Sequence, residues 1–203
     1  MTQPASEGNG STLPGEALGW RRAKSSVLLD TPWYRMRRDQ GTLPTEDEYE
    51  YTYMEHAGGV CVIPITPEGR LVLLRHYRYP VDRWCWELPA GSMGDRADMD
   101  PEGVARQELA EEAGATCEEL ESLGKYYLAV GVASYPVHFY IAHGVVVNQP
   151  PSREVTEVID RVETVSLEEA VAMVLQRRLI SVESAFGIML ANSLLNARPR
   201  KAK

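Results

Sequence analysis

Asp100-Pro-Glu-Gly-Val-Ala-Arg-Gln-Glu-Leu-Ala-Glu-Glu-Ala-Gly114 is the stretch on which the reading of this chain turns. Asp100 suits a helix N-cap, Pro101 the first helical position and Gly114 a left-handed C-terminal cap, so the pattern predicts a helix over Pro101 to Ala113. Glu108, Glu111 and Glu112 stand at i, i+3 and i+4. At about 100° per residue all three carboxylates share one face, with Leu109, Ala110 and Ala113 on the other. Carboxylates this close raise one another's pKa unless a cation sits among them. Oxygen ligands with no neighbouring Cys or His favour a hard divalent ion, Mg2+ or Mn2+, over zinc. Taken alone, the same charge also fits an ordinary solvated helix face.

The frame around the helix decides between these. Upstream stands Trp86-Glu-Leu-Pro-Ala-Gly91, and the helix itself carries Arg106-Gln-Glu-Leu-Ala-Glu-Glu-Ala-Gly114. Together they resemble the Nudix box, in which a glycine and an upstream glutamate precede Arg-Glu-apolar-any-Glu-Glu-any-Gly-apolar. Gly91 opens the box, and Glu108, Leu109, Glu111, Glu112, Gly114 and Ala115 fill its second half. Two departures stand out. Gln107 occupies the arginine position, with Arg106 one residue early and so about 100° round the helix. The interval from Gly91 is also two residues too long, which leaves Met99, between Asp98 and Asp100, where the upstream glutamate belongs. Leu71-Val-Leu-Leu-Arg-His-Tyr-Arg-Tyr-Pro80 extends the resemblance to the ADP-ribose pyrophosphatase branch, over roughly residues 18 to 197.

That resemblance implies a metal-dependent hydrolase of ADP-ribose or a related nucleoside diphosphate sugar, giving a nucleoside monophosphate and a sugar phosphate. It implies Glu108 and Glu112 as direct metal ligands, Glu111 as a ligand or water anchor, and the Ala90 carbonyl as a further ligand. A glutamate in a late loop positions or deprotonates water in such proteins, and Glu157 or Glu154 occupies that region, with Glu157 preferred. Arg78 matches a substrate-binding arginine whose planar donors suit a diphosphate; Arg75 is a weaker candidate. Trp20, Trp33 and Tyr34 are candidates for stacking on a base, against a plain role in core or subunit contact. Glu87 is expected to brace the site through a salt bridge, and Gly91, Gln107 and Gly114 to support it structurally. Because a neutral amide replaces the arginine at Gln107, the acidic cluster is expected to be short of compensating charge, and Arg106 faces elsewhere.

At 203 residues and 44% hydrophobic content the chain suits one generous domain. Its net charge of −8 argues against nucleic acid as a partner. Cys61, Cys85 and Cys117 fit neither metal nor redox spacing, which points to reduced thiols in a cytoplasmic protein. No apolar run is long enough to span a membrane.

Along the chain, 1–17 reads as a disordered tail, 18–56 as an N-terminal β extension, 57–197 as the Nudix domain and 198–203 as a basic tail. Two strands flank a turn at Asp30-Thr-Pro32, Gly41 to Asp47 reads as a loop, and Tyr49 to His56 alternates as a strand. Pro67-Glu-Gly69 makes a hairpin turn between two apolar strands. Further strands fall near Leu120 to Val130, Val137 to Val147 and up to Val165, and helices at Leu167 to Gln176 and Val182 to Ala197 close the chain. The expected fold is α+β, an α/β/α sandwich with a mixed central sheet, the box helix and the β extension. The extension, aromatic and outside the central fold, is expected to make a homodimer. The alternative to an enzyme is a catalytically weak Nudix-fold protein that binds a nucleotide ligand or a partner. Gln107, the lengthened loop, and Tyr135 where relatives often carry a glutamate favour that alternative.

Overall fold

A computed structural model describes residues 14–94, 96, 98–153 and 155–197. The N-terminal part is a three-stranded antiparallel unit of β1 (Arg21–Asp30), β2 (Tyr34–Thr42) and β3 (Glu48–His56). Its first turn is closed by Thr31, whose hydroxyl oxygen accepts from the Tyr34 N–H at 3.0 Å while its proton goes to the Tyr34 carbonyl at 2.6 Å. Two details differ from expectation. Pro14–Ala17 forms a single helical turn, α1, within the stretch read as tail. Gly41 lies in β2 rather than in a loop, paired with Arg22 and Tyr49, and the Arg21 carbonyl comes so close that a Cβ there would meet it at 2.0 Å.

The extension is not a separate sheet. β3 runs parallel to the start of β10 (Ala133–His143), which is also paired in parallel with β4 (Gly59–Pro64). The Pro67-Glu-Gly69 turn leads from β4 into β5 (Arg70–Arg78), followed by β6 (Arg83–Glu87), β7 (Ala90–Ser92), β8 (Ala115–Thr116) and β9 (Glu119–Leu128). β9 flanks β10 and β7 flanks β4, both antiparallel, while β5 pairs with β6 and with β12 (Ile159–Ser166) in a second sheet. A short pair joins β8 to β11 (Val146–Val147).

Alternation along the buried strands sorts side chains into two cores. Val60, Val62, Val72 and Leu74 pack with Val104 and Leu109 of α2 (Pro101–Ala113). Cys61, Ile63, Leu71 and Leu73 face the other way, onto α3 (Leu167–Leu175) and α4 (Val182–Ala197) through Met173 and Ile188. Strands covered on both faces read as unbroken apolar runs, which is how β4 and β5 read in the sequence. The architecture is thus the expected α/β/α sandwich, with α2 alone on one side.

Candidate active site

The box helix forms where local signals place it. Asp100 accepts a hydrogen bond from the Gly103 N–H at 2.7 Å as N-cap, and Gly114 ends the helix with φ +62°. Much of its acidic face is covered: Glu108 is 3% and Glu112 2% exposed, because β7 packs on α2 there. The Glu112 carboxylate accepts from the Ala90 N–H at 2.8 Å. Gly91 sits so close that an added Cβ would lie 1.7 Å from a Glu108 oxygen. Glycine is needed here for space, not for a special backbone angle.

Burial first, and then the neighbouring Glu108, push the Glu112 carboxyl well above the usual carboxylate range. Glu108 is also raised by burial, although the Arg96 guanidinium opposes this. Arg96 was not singled out from sequence. It comes from the lengthened loop, where it is the one basic residue between Gly91 and Arg106, and it bonds Glu108 through Nη1 and Glu111 through Nη2, the latter at 3.0 Å. Gln107 also donates to Glu111, at 2.7 Å. The positive charge missing at position 107 is therefore supplied by the loop. Arg106, as expected, points elsewhere, toward Glu102 and Cys117.

The late loop reaches the same place through its backbone. The Ser152 N–H donates to the Glu111 carbonyl at 3.0 Å, and Arg153 donates to the Glu112 carbonyl from Nε and Nη2 at 3.2 and 3.0 Å and to the Ile159 carbonyl at 2.7 Å. A guanidinium on the last-turn carbonyls satisfies groups that a helix C-terminus leaves open. This anchoring holds Glu157 against the helix. Glu108, Glu112 and Glu157 each present an oxygen within 4.8 Å of the others. Glu111 lies outside this group, held by Arg96 and Gln107. Glu154, the other candidate base, falls outside the described residues. Three carboxylates, two of them buried and raised in pKa, with no Cys or His among them, fit a hard divalent cation.

Arg78 and Glu87 face one another beside the cluster: the guanidinium donates from Nε at 2.9 Å, with Nη2 at 2.7 Å. The expected brace from Glu87 is thus to Arg78. The two line a cavity of about 340 Å3 that also reaches Ala90, Tyr135 and Glu183. Arg75 is engaged away from the cluster, over the Trp84 ring and with Asp160 at 3.2 Å. Trp20 packs on Tyr49 with ring centroids 4.9 Å apart, in a second cavity under the N-terminal sheet. Trp33 is 66% exposed, at the β1–β2 tip, whose Pro32 carbonyl lies near Gly94 in the box loop.

The NUDIX domain model matches residues 55–182, more than half of the chain. The chain is 28% identical to the methanol dehydrogenase activator of Bacillus methanolicus over 175 residues, 86% of this chain and 93% of that protein. It is 29% identical to an ADP-ribose pyrophosphatase of Bacillus subtilis (strain 168) over 147 residues, 72% of this chain and 78% of that one. Its fold is that of the crystal structure of an ADP compounds hydrolase, with a TM-score of 0.74 at 15% identity, covering 90% of this chain and 97% of the other. A buried carboxylate helix, the glycine that makes room for it and a domain match across both cores together place this chain in the NUDIX family.

Proposed function

We propose that this chain, as a Nudix pyrophosphohydrolase, cleaves the pyrophosphate bond of ADP-ribose or a related nucleoside diphosphate sugar to a nucleoside monophosphate and a sugar phosphate. The observation that carries this is the Glu108, Glu112 and Glu157 group beside Arg78. Glu108, Glu112 and the Ala90 carbonyl are the proposed holders of Mg2+ or Mn2+, which would neutralise phosphate charge and acidify a bound water; Glu111, now held by Arg96 and Gln107, would join them by releasing Arg96. Glu157 orients the attacking water and takes its proton. Arg78 offers a diphosphate a planar set of donors, on a guanidinium that Glu87 keeps aimed. Trp33, exposed at the hairpin tip next to the box loop, is the better placed of the aromatic candidates for stacking on a base. Three free thiols, two of them buried, suit a reducing cytoplasm.

The test is a panel of nucleoside diphosphate sugars with Mg2+, Mn2+ or chelator, with products identified by mass spectrometry in 18O-labelled water. Metal-dependent release of AMP from ADP-ribose supports the reading. Absence of turnover with every substrate and both metals overturns it, and leaves the second reading, a protein that acts by binding a partner. Likeness to the methanol dehydrogenase activator favours that second reading. Arg96 weakens it, because the charge lost at Gln107 is restored.

A further inference from the structure

The 340 Å3 cavity next to Ala90 contains two polar groups for which the proposed chemistry has no use. Glu183, in the first turn of α4, and Tyr135, in β10, both line it. Neither side chain makes a hydrogen bond or ion pair among the described residues. Of the other polar groups around them, Arg78 is bonded to Glu87, the Ser184 hydroxyl oxygen accepts from the Leu88 N–H at 3.0 Å, and the Ser181 hydroxyl oxygen accepts from the Ser184 N–H at 3.4 Å. Burial holds the Glu183 carboxyl up at about 7 and Tyr135 at about 12. A desolvated carboxyl without a partner costs stability unless something else satisfies it.

Place and chemistry narrow what that is. Ala90 and Arg78 both line the cavity, so a diphosphate held by Arg78 lies next to it and can send one end of the substrate into it. At about 340 Å3 it has room for a sugar ring. Tyr135 is the one aromatic ring among the described lining residues, and one of its faces is already stacked on His56 with centroids 3.9 Å apart, which leaves a base little to stack on. A second anionic group would meet the Glu87 and Glu183 carboxyls. A neutral ring bearing several hydroxyls can donate to Glu183 and exchange hydrogen bonds with the Tyr135 hydroxyl.

We propose that this cavity takes the uncharged, hydroxyl-bearing sugar at the non-nucleotide end of the substrate, with Glu183 as its specificity-determining contact and Tyr135 as second partner. This rests on the function proposed above. The test compares ADP-ribose with the methyl ester of ADP, which keeps the pyrophosphate bond but lacks the sugar, in wild type, Glu183→Ala and Glu183→Gln. Glu183→Ala should lose at least tenfold more kcat/KM on ADP-ribose than on the methyl ester, chiefly through KM. Glu183→Gln, which keeps shape and an acceptor oxygen, should recover part of it. Equal factors for both substrates, or no loss on ADP-ribose, overturn this inference while leaving the hydrolase standing. A wild type that cleaves neither overturns both. Unfolding curves for each variant separate a folding defect from a binding one.

Discussion

Arg96 donates to Glu111 at 3.0 Å from a loop, in place of an arginine on the helix itself. Its other nitrogen bonds Glu108, and its side chain is only 14% exposed, so one guanidinium ties two carboxylates of the box helix together from outside. The loop guanidinium and the Gln107 amide thus meet on the same Glu111 carboxylate, one on each oxygen.

Without a metal, Arg96 is the cation of the cluster. Arg96→Gln should lower unfolding free energy by roughly 1–3 kcal/mol in chelator, as for a largely buried pair that loses a partner. Saturating Mg2+ should shrink the loss, since it supplies the same charge. Denaturant titrations under both conditions check this; an equal loss in each would contradict it.

Gly91 keeps Glu108 in place by having no side chain. Gly91→Ala puts a methyl group 1.7 Å from a carboxylate oxygen that cannot move into the packed core. Turnover should fall about a hundredfold, the scale expected when a reacting group shifts by an ångström. Circular dichroism should still show the native strands and helices, and steady-state kinetics gives the rate.

Glu108 and Glu112 both hold protons above the ordinary carboxylate range in the metal-free protein, through burial. A metal must displace those protons, so its affinity should weaken as pH falls, and binding should release a countable number of protons. Calorimetric titration of Mn2+ in buffers of different ionisation enthalpy reads that number directly. Binding heats that do not vary with buffer would disprove it.

Glu183 sets a pH window for stability. Its folded carboxyl titrates at about 7 against an ordinary 4.5, so it is raised. Below about 4.5 it is protonated in both states and costs nothing; as pH rises through 7 the folded state must ionise it, at no more than about 3 kcal/mol. Glu183→Gln should therefore melt higher than wild type at pH 8, with the gap closing by pH 5. Scanning calorimetry across that range is the measurement.

β1 is the edge strand of the larger sheet and exposes Val27, Leu28 and Leu29 at close to half of their surface each. An uncovered apolar edge invites pairing, and we expect a homodimer through it. Light scattering should report a dimer at micromolar concentration, and Leu28→Lys with Leu29→Lys should shift it to monomer. A wild-type monomer would end this expectation.

Local signals were enough for the box helix. Asp100, Pro101 and Gly114 act on their own backbone within a turn or so, and three glutamates at i, i+3 and i+4 must share a face wherever the helix goes. Apolar runs over β4 and β5 around Pro67-Glu-Gly69 likewise read directly, as two strands buried on both sides. What those signals could not carry is which groups meet. Glu108 and Glu112 are buried rather than solvated because β7, which pairs with the distant β4, packs on their helix. Glu157 reaches Glu108 and Glu112 because Ser152 and Arg153, the latter 41 positions from its partner Glu112, dock on the helix's last turn. Arg96 finds its carboxylates only through the path of a loop with no periodic pattern to read, and Glu183 loses its water only when α4 closes against β10 and the Arg78–Glu87 pair. Side-chain type and local periodicity are written in the chain order; proximity across it is set by how the two cores pack, and the electrostatics of this site depend on that proximity.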